Sequence, residues 1–247
     1  MPNPWDIGSA KILHHAGAVA LATTSAGHAG SMGLLDQHVG RDELIEHVEA
    51  MCRAVDLPFN VDAEDCFADE AEGVAETAAM IEATDAAGLS IEDWDPRAAA
   101  LRPIDAAAER VAAARSACRD LVLTARAENH LYGVTDLDDT ITRLAVYRDA
   151  GADVVYAPGL VALSDIARVV DEVGCPVNVL ALPGTPTVQQ LASIGVARVS
   201  VGSLFAWAAY GALATAAEEL LGSGTSTYAA GILPGSVRNV AFGSDPR

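Results

Sequence analysis

Apolar and polar residues alternate along the chain in blocks of two kinds. Short blocks rich in Val, Leu and Ala predict strands near 18–25, 57–64, 88–94, 121–128, 153–159, 176–182 and 198–203. Longer Ala-rich blocks between them predict helices near 41–55, 70–86, 103–118, 136–150, 162–173, 187–193 and 204–221. Such regular alternation is typical of parallel β-α-β units.

The first seventeen residues bear on how these units close. "MPNPWDIGSAKILHHAG" contains a proline-rich stub and then a helix that ends at Gly17. If the stub is an eighth strand, the fold is a (β/α)8 TIM barrel with a shortened first strand, of the α/β class. An open doubly wound sheet is the alternative, although no Gly-x-Gly-x-x-Gly follows a predicted strand. We predict one barrel domain over residues 1–247, with a C-terminal helical region at about 204–230 and a loose tail at 243–247.

Length and charge narrow the possible partners. A chain of 247 residues suits a single barrel, and its formal net charge is −19. Such a field repels phosphate backbones and anionic membranes, so we expect no nucleic-acid partner and no membrane partner. The four cysteines have no metal-ligand spacing, and the chain shows no targeting leader or long apolar run. These features predict a cytoplasmic protein.

The chain contains a single lysine, Lys11, within a predicted helix. Schiff-base aldolases, pyridoxal phosphate enzymes and P-loop NTPases each need a lysine at a defined place in the site. The helical setting of Lys11 disfavours all three classes.

Polar residues collect where the predicted strands end. These strand ends are Thr24-Ser25, Asp62-Ala63-Glu64, Glu92-Asp93, Arg126-Ala127-Glu128, Asn178 and Ser203. In a barrel, the C-terminal ends of the strands form the active site. In "FNVDAEDCF", the polar residues Asn60, Asp62 and Glu64 have a period of two, which would place them on one face.

Three acids at neighbouring strand ends, Asp62, Glu64 and Glu92, predict a metal site. They would repel one another, because no lysine lies nearby to neutralise them. Mg²⁺ or Mn²⁺, which take oxygen ligands and retain water, would balance the charge. The alternative is that they are solvated loop acids or helix N-caps.

Seven segments together resemble the isocitrate lyase and phosphoenolpyruvate mutase superfamily. They are "NPWDIGSAKILHHAGAVALATTSAG", "LPFNVDAED", "GLSIEDW", "LVLTARAENHLYG", "AGADVVYAPGL", "PVNVL" and "RVSVGS", and they follow the family order from about Pro2 to Gly222. The resemblance implies a (β/α)8 barrel that handles Mg²⁺-bound 2-oxo acids through enolate-like intermediates. Its members cleave or form C–C or P–C bonds, and most are tetramers. We therefore expect a small anionic substrate and a homo-oligomer, either tetramer or dimer.

The resemblance assigns roles to the loop after the first strand. Thr24, Ser25 and Ala26 match a small segment whose backbone N–H groups hold the substrate carboxylate and oxo oxygen. Asp36 matches a catalytic acid at the end of the same loop, near the metal.

The other strand ends also match positions of the family. Asp62 matches the direct metal ligand, whereas Glu64 and Glu92 match acids that act through water held by the metal. Arg126 matches an arginine that reaches the substrate, and Asn178 lies in the region that lines the far side of the pocket.

One segment departs from the family. Lyases carry a Lys-x-Cys-Gly-His-type loop, and mutases a lysine and an asparagine in a gating loop, where this chain has "EDWDPRAAALRP". Cys66 is a candidate replacement acid or base, although a small buried residue is the more usual role for such a cysteine. His130 either faces the pocket or packs at a helix start, and Trp94 either caps the pocket or packs between helices.

Two functions therefore remain open. The first is a Mg²⁺-dependent enzyme that acts on a small 2-oxo acid or phosphonate. The second is a metal-binding barrel that has lost its reaction loop and serves as a binding or structural oligomer. The exact substrate, and the choice between P–C and C–C chemistry, are not encoded in any motif that we identify.

Overall fold

The computed structural model describes residues 1–243. Apart from Gly243, the predicted loose tail lies outside the described residues. Seven parallel strands form one sheet: β1 (Leu21–Ala22), β2 (Phe59–Asp62), β3 (Gly88–Glu92), β6 (Val122–Arg126), β7 (Val154–Tyr156), β8 (Val177–Leu180) and β9 (Arg198–Ser200). Two further strands, β4 (Trp94–Asp95) and β5 (Ala100–Leu101), pair with each other in an antiparallel hairpin.

Helices alternate with the strands of the sheet. They are α1 (Ile7–His15), α2 (Ser25–Ser31), α3 (Arg41–Ala54), α4 (Ala71–Glu82), α5 (Ile104–Ala117), α6 (Leu137–Asp149), α7 (Leu163–Val173), α8 (Val188–Ser193), α9 (Leu204–Gly222) and α10 (Gly235–Phe242), with a 3-10 helix at Thr227–Gly231. Within residues 1–243, no helix has both the length and the apolar character needed to cross a bilayer.

The sheet curls into a nearly closed barrel, which confirms the predicted fold class. Its strand order follows the chain, β1-β2-β3-β6-β7-β8-β9, and all neighbours are parallel. The N-terminal stub lies between the two edge strands: Ala22 N–H donates to Pro2 O at 3.1 Å, and the Met1 nitrogen donates to Val199 O at 2.6 Å. The Asn3 side chain also bonds backbone on both sides. The stub thus bridges the edges as expected, although it forms no regular strand.

The apolar core lies between the sheet and the surrounding helices. Helix α7 shows how the sequence forms it: Ile166, Val169 and Val173 recur at helical spacing and are almost fully buried. Each such side chain contributes about 1.5–3 kcal/mol by leaving water. Gly174 ends the helix in a left-handed conformation, with φ of 72°.

Two details of the predicted strands are wrong. The strand predicted at 18–25 contains only Leu21–Ala22, and Ser25 begins helix α2, whose N-cap Thr24 accepts a hydrogen bond from Gly27 N–H. Gly27 and Gly30 lower the helix propensity of that seven-residue segment, so the local sequence does not indicate it. Strand β2 ends at Asp62, and Glu64 has a left-handed φ of 49°, so the period of two does not extend to Glu64.

Candidate active site

A cavity of about 280 Å³ opens at the C-terminal ends of the strands. It brings together seven of the residues predicted from sequence: Thr24, Ser25, Ala26, Asp36, Asp62, Arg126 and Asn178. Its walls also include Asn60, which the sequence analysis placed on the same face as Asp62. The polar wall residues that the sequence analysis missed are Asn3, Ser90, Tyr156, Arg198 and Ser200. The volume is close to the lower limit for small-molecule sites, which indicates a small ligand.

Asp62 ends strand β2 with its carboxylate held in a defined orientation. Its Oδ1 accepts a hydrogen bond from Arg126 Nη1 at 2.7 Å, and its Oδ2 accepts one from Ser25 N–H at 3.0 Å. Its own backbone N–H donates to Thr23 Oγ1 at 2.8 Å. Each carboxylate oxygen has two lone pairs, so both retain capacity for a further ligand.

Arg126 connects the acids of three strand ends. Besides its bond to Asp62, its Nη2 lies 3.2 Å from Glu92 Oε2 and its Nε donates to Glu128 Oε1 at 2.7 Å. Burial alone would lower the pKa of Arg126, but Glu128, Glu92 and Asp62 outweigh burial and raise it. The guanidinium also lies 5.5 Å from the centre of the Tyr156 ring.

The position of Arg126 corrects one step of the sequence argument. The acids do have a cationic partner, which was overlooked because only lysine was considered. One guanidinium nevertheless serves several carboxyl groups. Desolvation, followed by the charges of Asp62, Asp36 and Asp65, raises the pKa of Glu64 to about 8. Desolvation and the Asp62 carboxylate likewise raise the pKa of Asp36. Without a cation these acids are therefore shifted toward their protonated forms, and a divalent cation would favour their ionised forms.

Glu64 and Glu92 lie beside the cavity and do not line it. Glu64 lines a second, more open depression together with Gln37 and Asp65. Glu92 is buried, and its Oε1 accepts a hydrogen bond from Gln37 Nε2 at 3.1 Å. Desolvation raises the pKa of Glu92 well above its usual value despite the opposing effect of Arg126. Of the three acids, only Asp62 therefore lines the cavity itself.

This donor set fits Mg²⁺ or Mn²⁺. In residues 1–243, no three Asp, Glu, His or Cys side chains converge closely enough to form a direct ligand cluster. Mg²⁺ does not need one, because it usually retains several waters and binds through one or two carboxylates. Asp62 is placed to be such a ligand, with Glu64 and Glu92 set back where water would bridge. The metal assignment stays a prediction.

A buried network supports the cluster from behind. Asp93 Oδ1 accepts a hydrogen bond from the backbone N–H of Glu128 at 2.9 Å. Its Oδ2 accepts bonds from the Tyr147 hydroxyl at 2.6 Å and Arg143 Nη1 at 3.1 Å. Glu128 in turn holds Arg126, so the network positions the arginine.

Arg198 is the most informative residue that the sequence analysis missed. Its Nε donates to Asn178 Oδ1 and its Nη2 donates to Thr124 Oγ1, both at 2.9 Å. Asn178 also donates to Ser200 Oγ at 3.0 Å. A signal was available, since "RVSVGS" starts a predicted barrel strand with a charged residue.

Comparison with known proteins fits this geometry. Residues 1–221 match the family model described as phosphoenolpyruvate phosphomutase. The chain belongs to the isocitrate lyase and phosphoenolpyruvate mutase superfamily. It is an enzyme of that superfamily, whose characterised members include lyases, mutases and decarboxylases acting on small acids.

Individual relatives agree with this assignment. A candidate lyase/mutase from Burkholderia cenocepacia J2315 has a TM-score of 0.94 and 46% identity, covering 99% of this chain and 90% of that chain. A 2-methylisocitrate lyase from Salmonella typhimurium is 30% identical over 224 residues, which are 85% of this chain and 75% of the lyase. Phosphonopyruvate hydrolase, solved with oxalate and Mg²⁺, is 22% identical with a TM-score of 0.85, covering 98% of this chain and 89% of that chain, and shows the same fold.

The segment "EDWDPRAAALRP", where the resemblance implies a reaction loop, contains the β4–β5 hairpin. Arg102 anchors the hairpin through ion pairs with Asp65 at 2.9 Å and Asp95 at 2.8 Å. Trp94 stacks flat on Tyr132, with ring centres 3.4 Å apart and planes within 3°. The hairpin is therefore held by the ion pairs of Arg102 and by the stacking of Trp94 on Tyr132.

Cys66 and His130 belong to packing in this member of the superfamily. Cys66 is fully buried in the apolar core, and burial raises the pKa of its thiol. The His130 ring hydrogen-bonds through Nε2 to Thr140 Oγ1 at 2.9 Å, near the start of α6. Neither residue is among those that line the cavity.

Proposed function

We propose that the protein is a Mg²⁺- or Mn²⁺-dependent lyase or phosphonomutase-like enzyme. Its substrate is a small 2-oxo acid or phosphonate, in which a C–C or P–C bond is cleaved or formed through an enolate-like intermediate. The observation that carries the proposal is the convergence of Asp62, Arg126 and the Thr24–Ala26 turn on one small cavity. Family membership supports the reaction class.

Asp62 is the residue that would hold the metal directly. Glu64 and Glu92 would hold the waters of the metal, since both acids are set back from the cavity. When bound, Mg²⁺ polarises an oxo group and stabilises negative charge that develops on its oxygen. The oxalate and Mg²⁺ bound by the structurally similar phosphonopyruvate hydrolase support this assignment.

The Thr24–Ala26 turn and Arg126 would orient the substrate. This segment approaches the cavity with small side chains, and since Ser25 N–H already donates to Asp62, the N–H of Ala26 is the one that could reach a substrate carboxylate. Arg126 faces the cavity from the end of β6 and can donate N–H bonds to developing negative charge, because only three of its five donors are occupied. Asn178 closes the far wall.

Asp36 is the proposed catalytic acid or base. The residues that line the cavity within the described chain include no cysteine, histidine or lysine. Asp36 lines it, and its raised pKa brings the carboxyl closer to the pH range in which proton transfer is efficient. Reactions that need only enolate stabilisation, such as decarboxylation of a β-keto acid or hydrolysis by water, are therefore favoured over isocitrate cleavage.

A substrate panel tests the proposal. Oxaloacetate, phosphonopyruvate and a 2-methylmalate-type acid are assayed after exhaustive chelation, then after addition of Mg²⁺ or Mn²⁺. Saturable turnover of at least one acid that requires the metal is expected. Full activity after chelation would contradict metal dependence, and no turnover of any small acid would contradict the substrate class.

We also propose that the protein is a homo-oligomer, a tetramer or dimer, which associates through α9. The buried residue of this 19-residue helix is Ala206, and large apolar side chains are exposed along it: Phe205, Trp207, Leu213, Leu220 and Leu221. Such a surface is typical of an interface. Light scattering after gel filtration should give a mass above that of one chain, and Leu213→Glu should lower it.

The cysteines support a cytoplasmic location as part of the proposal. Cys52, Cys66, Cys118 and Cys175 are all free thiols. Free thiols are usual where the compartment is reducing. Fractionation of the producing cell followed by immunodetection tests the location, and recovery outside the cytoplasm would contradict it.

A further inference from the structure

The inner surface of the barrel has two layers with different chemistry. The upper layer, which we call the rim, contains Asp62, Glu92 and Arg126. The lower layer, which we call the floor, contains residues two positions earlier on the same strands and their neighbours: Asn60, Ser90, Thr124, Asn178 and Arg198. Asn60, Ser90, Asn178 and Arg198 line the cavity, so the cavity extends from rim to floor.

Arg198 crosses the floor of the barrel. It starts on β9, yet its Nη2 reaches Thr124 on β6, two residues before Arg126. Two residues along a strand span roughly 6.6 Å. The Arg198 guanidinium therefore lies below the rim by about the length of a small acid. Asn178 holds the other side of the guanidinium through its Oδ1.

The surroundings of Arg198 leave its charge uncompensated. Its partners Asn178 and Thr124 are neutral, and within residues 1–243 no carboxylate lies at ion-pair distance from it. Two of its five N–H donors are occupied by these bonds, and Nη1 takes no part in them. Arg198 is half-buried where it lines the cavity, so its free N–H groups can be reached by an anion that enters from the rim.

Burial also sharpens the effect of this charge. Desolvation lowers the pKa of Arg198 to about 10, which still leaves the guanidinium ionised at neutral pH. Attraction between opposite charges is stronger in a desolvated cavity than in water. An anion that reaches the floor would therefore meet a fixed, forked donor with free N–H groups.

We propose that Arg198 binds the second anionic group of a doubly charged substrate, with the distal carboxylate or phosphonate on the floor and the 2-oxo carboxylate at the rim. This inference rests on the proposed function and deepens it. The substrate class becomes small dianionic acids, and singly charged 2-oxo acids are excluded as good substrates. Arg198 is thus a specificity-determining residue.

The first experiment does not depend on metal. Inorganic phosphate is titrated calorimetrically into the purified full-length protein without added Mg²⁺. The variants are Arg198→Met, Arg198→Lys and a matched control, Arg168→Met, which changes an exposed arginine of α7. Arg198→Met should weaken phosphate binding at least about tenfold, Arg198→Lys should weaken it less, and the control should match wild type. Equal binding by wild type and Arg198→Met would overturn the proposal.

The second experiment uses Mg²⁺ and a matched pair of ligands. Malate and lactate share a 2-hydroxy carboxylate, and malate has one additional carboxylate. Wild type should bind malate at least about tenfold more tightly than lactate, and Arg198→Met should abolish that preference while leaving lactate within about twofold. Equal weakening of both ligands would indicate a structural role and overturn the proposal.

The two experiments separate failure of this inference from failure of the proposed function. If phosphate binding depends on Arg198 but neither hydroxy acid binds with Mg²⁺, the floor site stands and the proposed metal-dependent function is wrong. If both acids bind only with Mg²⁺ but Arg198→Met leaves malate binding unchanged, the function stands and the role of Arg198 is wrong. Circular dichroism confirms that each variant is folded, and Arg198→Lys serves if Arg198→Met is not.

Discussion

The rim and the floor of the cavity hold one arginine each, in opposite surroundings. Arg126 at the rim contacts three carboxylates, Asp62, Glu92 and Glu128, whereas Arg198 on the floor contacts only neutral groups. The rim therefore has more acidic groups than basic ones, whereas the floor has a cation without an ionic partner. Such a cavity suits a metal at the rim and the far end of an anion on the floor.

The largest effect on catalysis is expected at the acid that defines the rim. Asp62→Asn should lower kcat/KM by at least about 100-fold, or roughly 2.7 kcal/mol, because the neutral amide is a poor Mg²⁺ ligand. Steady-state kinetics over a range of Mg²⁺ concentrations measures the loss. Asp171→Asn, in an exposed part of α7, is the matched control and should be unaffected. Normal Mg²⁺ dependence in Asp62→Asn would show that Asp62 does not bind the metal.

The next prediction compares how much Arg126 and Arg198 contribute to the free energy of unfolding. Arg126→Met leaves three carboxylates without their partner, so the free energy of unfolding should fall by about 3–5 kcal/mol. Arg198→Met removes a charge that has no ionic partner and should change the free energy of unfolding by less than about 1 kcal/mol. Urea unfolding without added metal compares them. An equal decrease in the free energy of unfolding of both variants would show that the carboxylates around Arg126 do not make it more important for stability than Arg198.

A conservative change at Arg126 gives a smaller effect. Arg126→Lys keeps the charge but loses the fork that contacts several carboxylates and donates to substrate. We expect KM to rise or kcat to fall at least about tenfold, or roughly 1.4 kcal/mol. Kinetics on the best acid of the panel tests this, and near-normal constants would place Arg126 outside the reaction.

The smallest effect on catalysis is expected at Cys66, which lies in the apolar core. Cys66→Ala removes one buried sulfur and should cost about 1 kcal/mol of stability while activity on small 2-oxo acids persists. Cleavage of isocitrate and 2-methylisocitrate should be negligible in wild type. An inactive but folded Cys66→Ala protein, or robust isocitrate cleavage, would show that this thiol replaces the missing lyase cysteine.

The sequence by itself determined the order of strands and helices and the location of the rim. Hydrophobic periodicity is local, because each residue's side of a strand or helix follows from its own neighbours. It therefore predicted parallel β-α-β units, in a barrel or an open doubly wound sheet, and it placed Asp62 and Arg126 at strand ends, where the structure finds them. It failed at Glu64, where the chain leaves β2 with a left-handed φ of 49° and the Glu64 carbonyl accepts a hydrogen bond from Glu92 N–H on β3.

Only the tertiary structure decided which charges meet. Arg126 and Asp62 are 64 positions apart, and Arg198 and Thr124 are 74 apart. Their contacts depend on strand register and on closure of the barrel, which no short stretch of sequence encodes. Closure of the barrel therefore gives the two arginines different partners. Arg126 contacts carboxylates, whereas Arg198 contacts an amide and a hydroxyl.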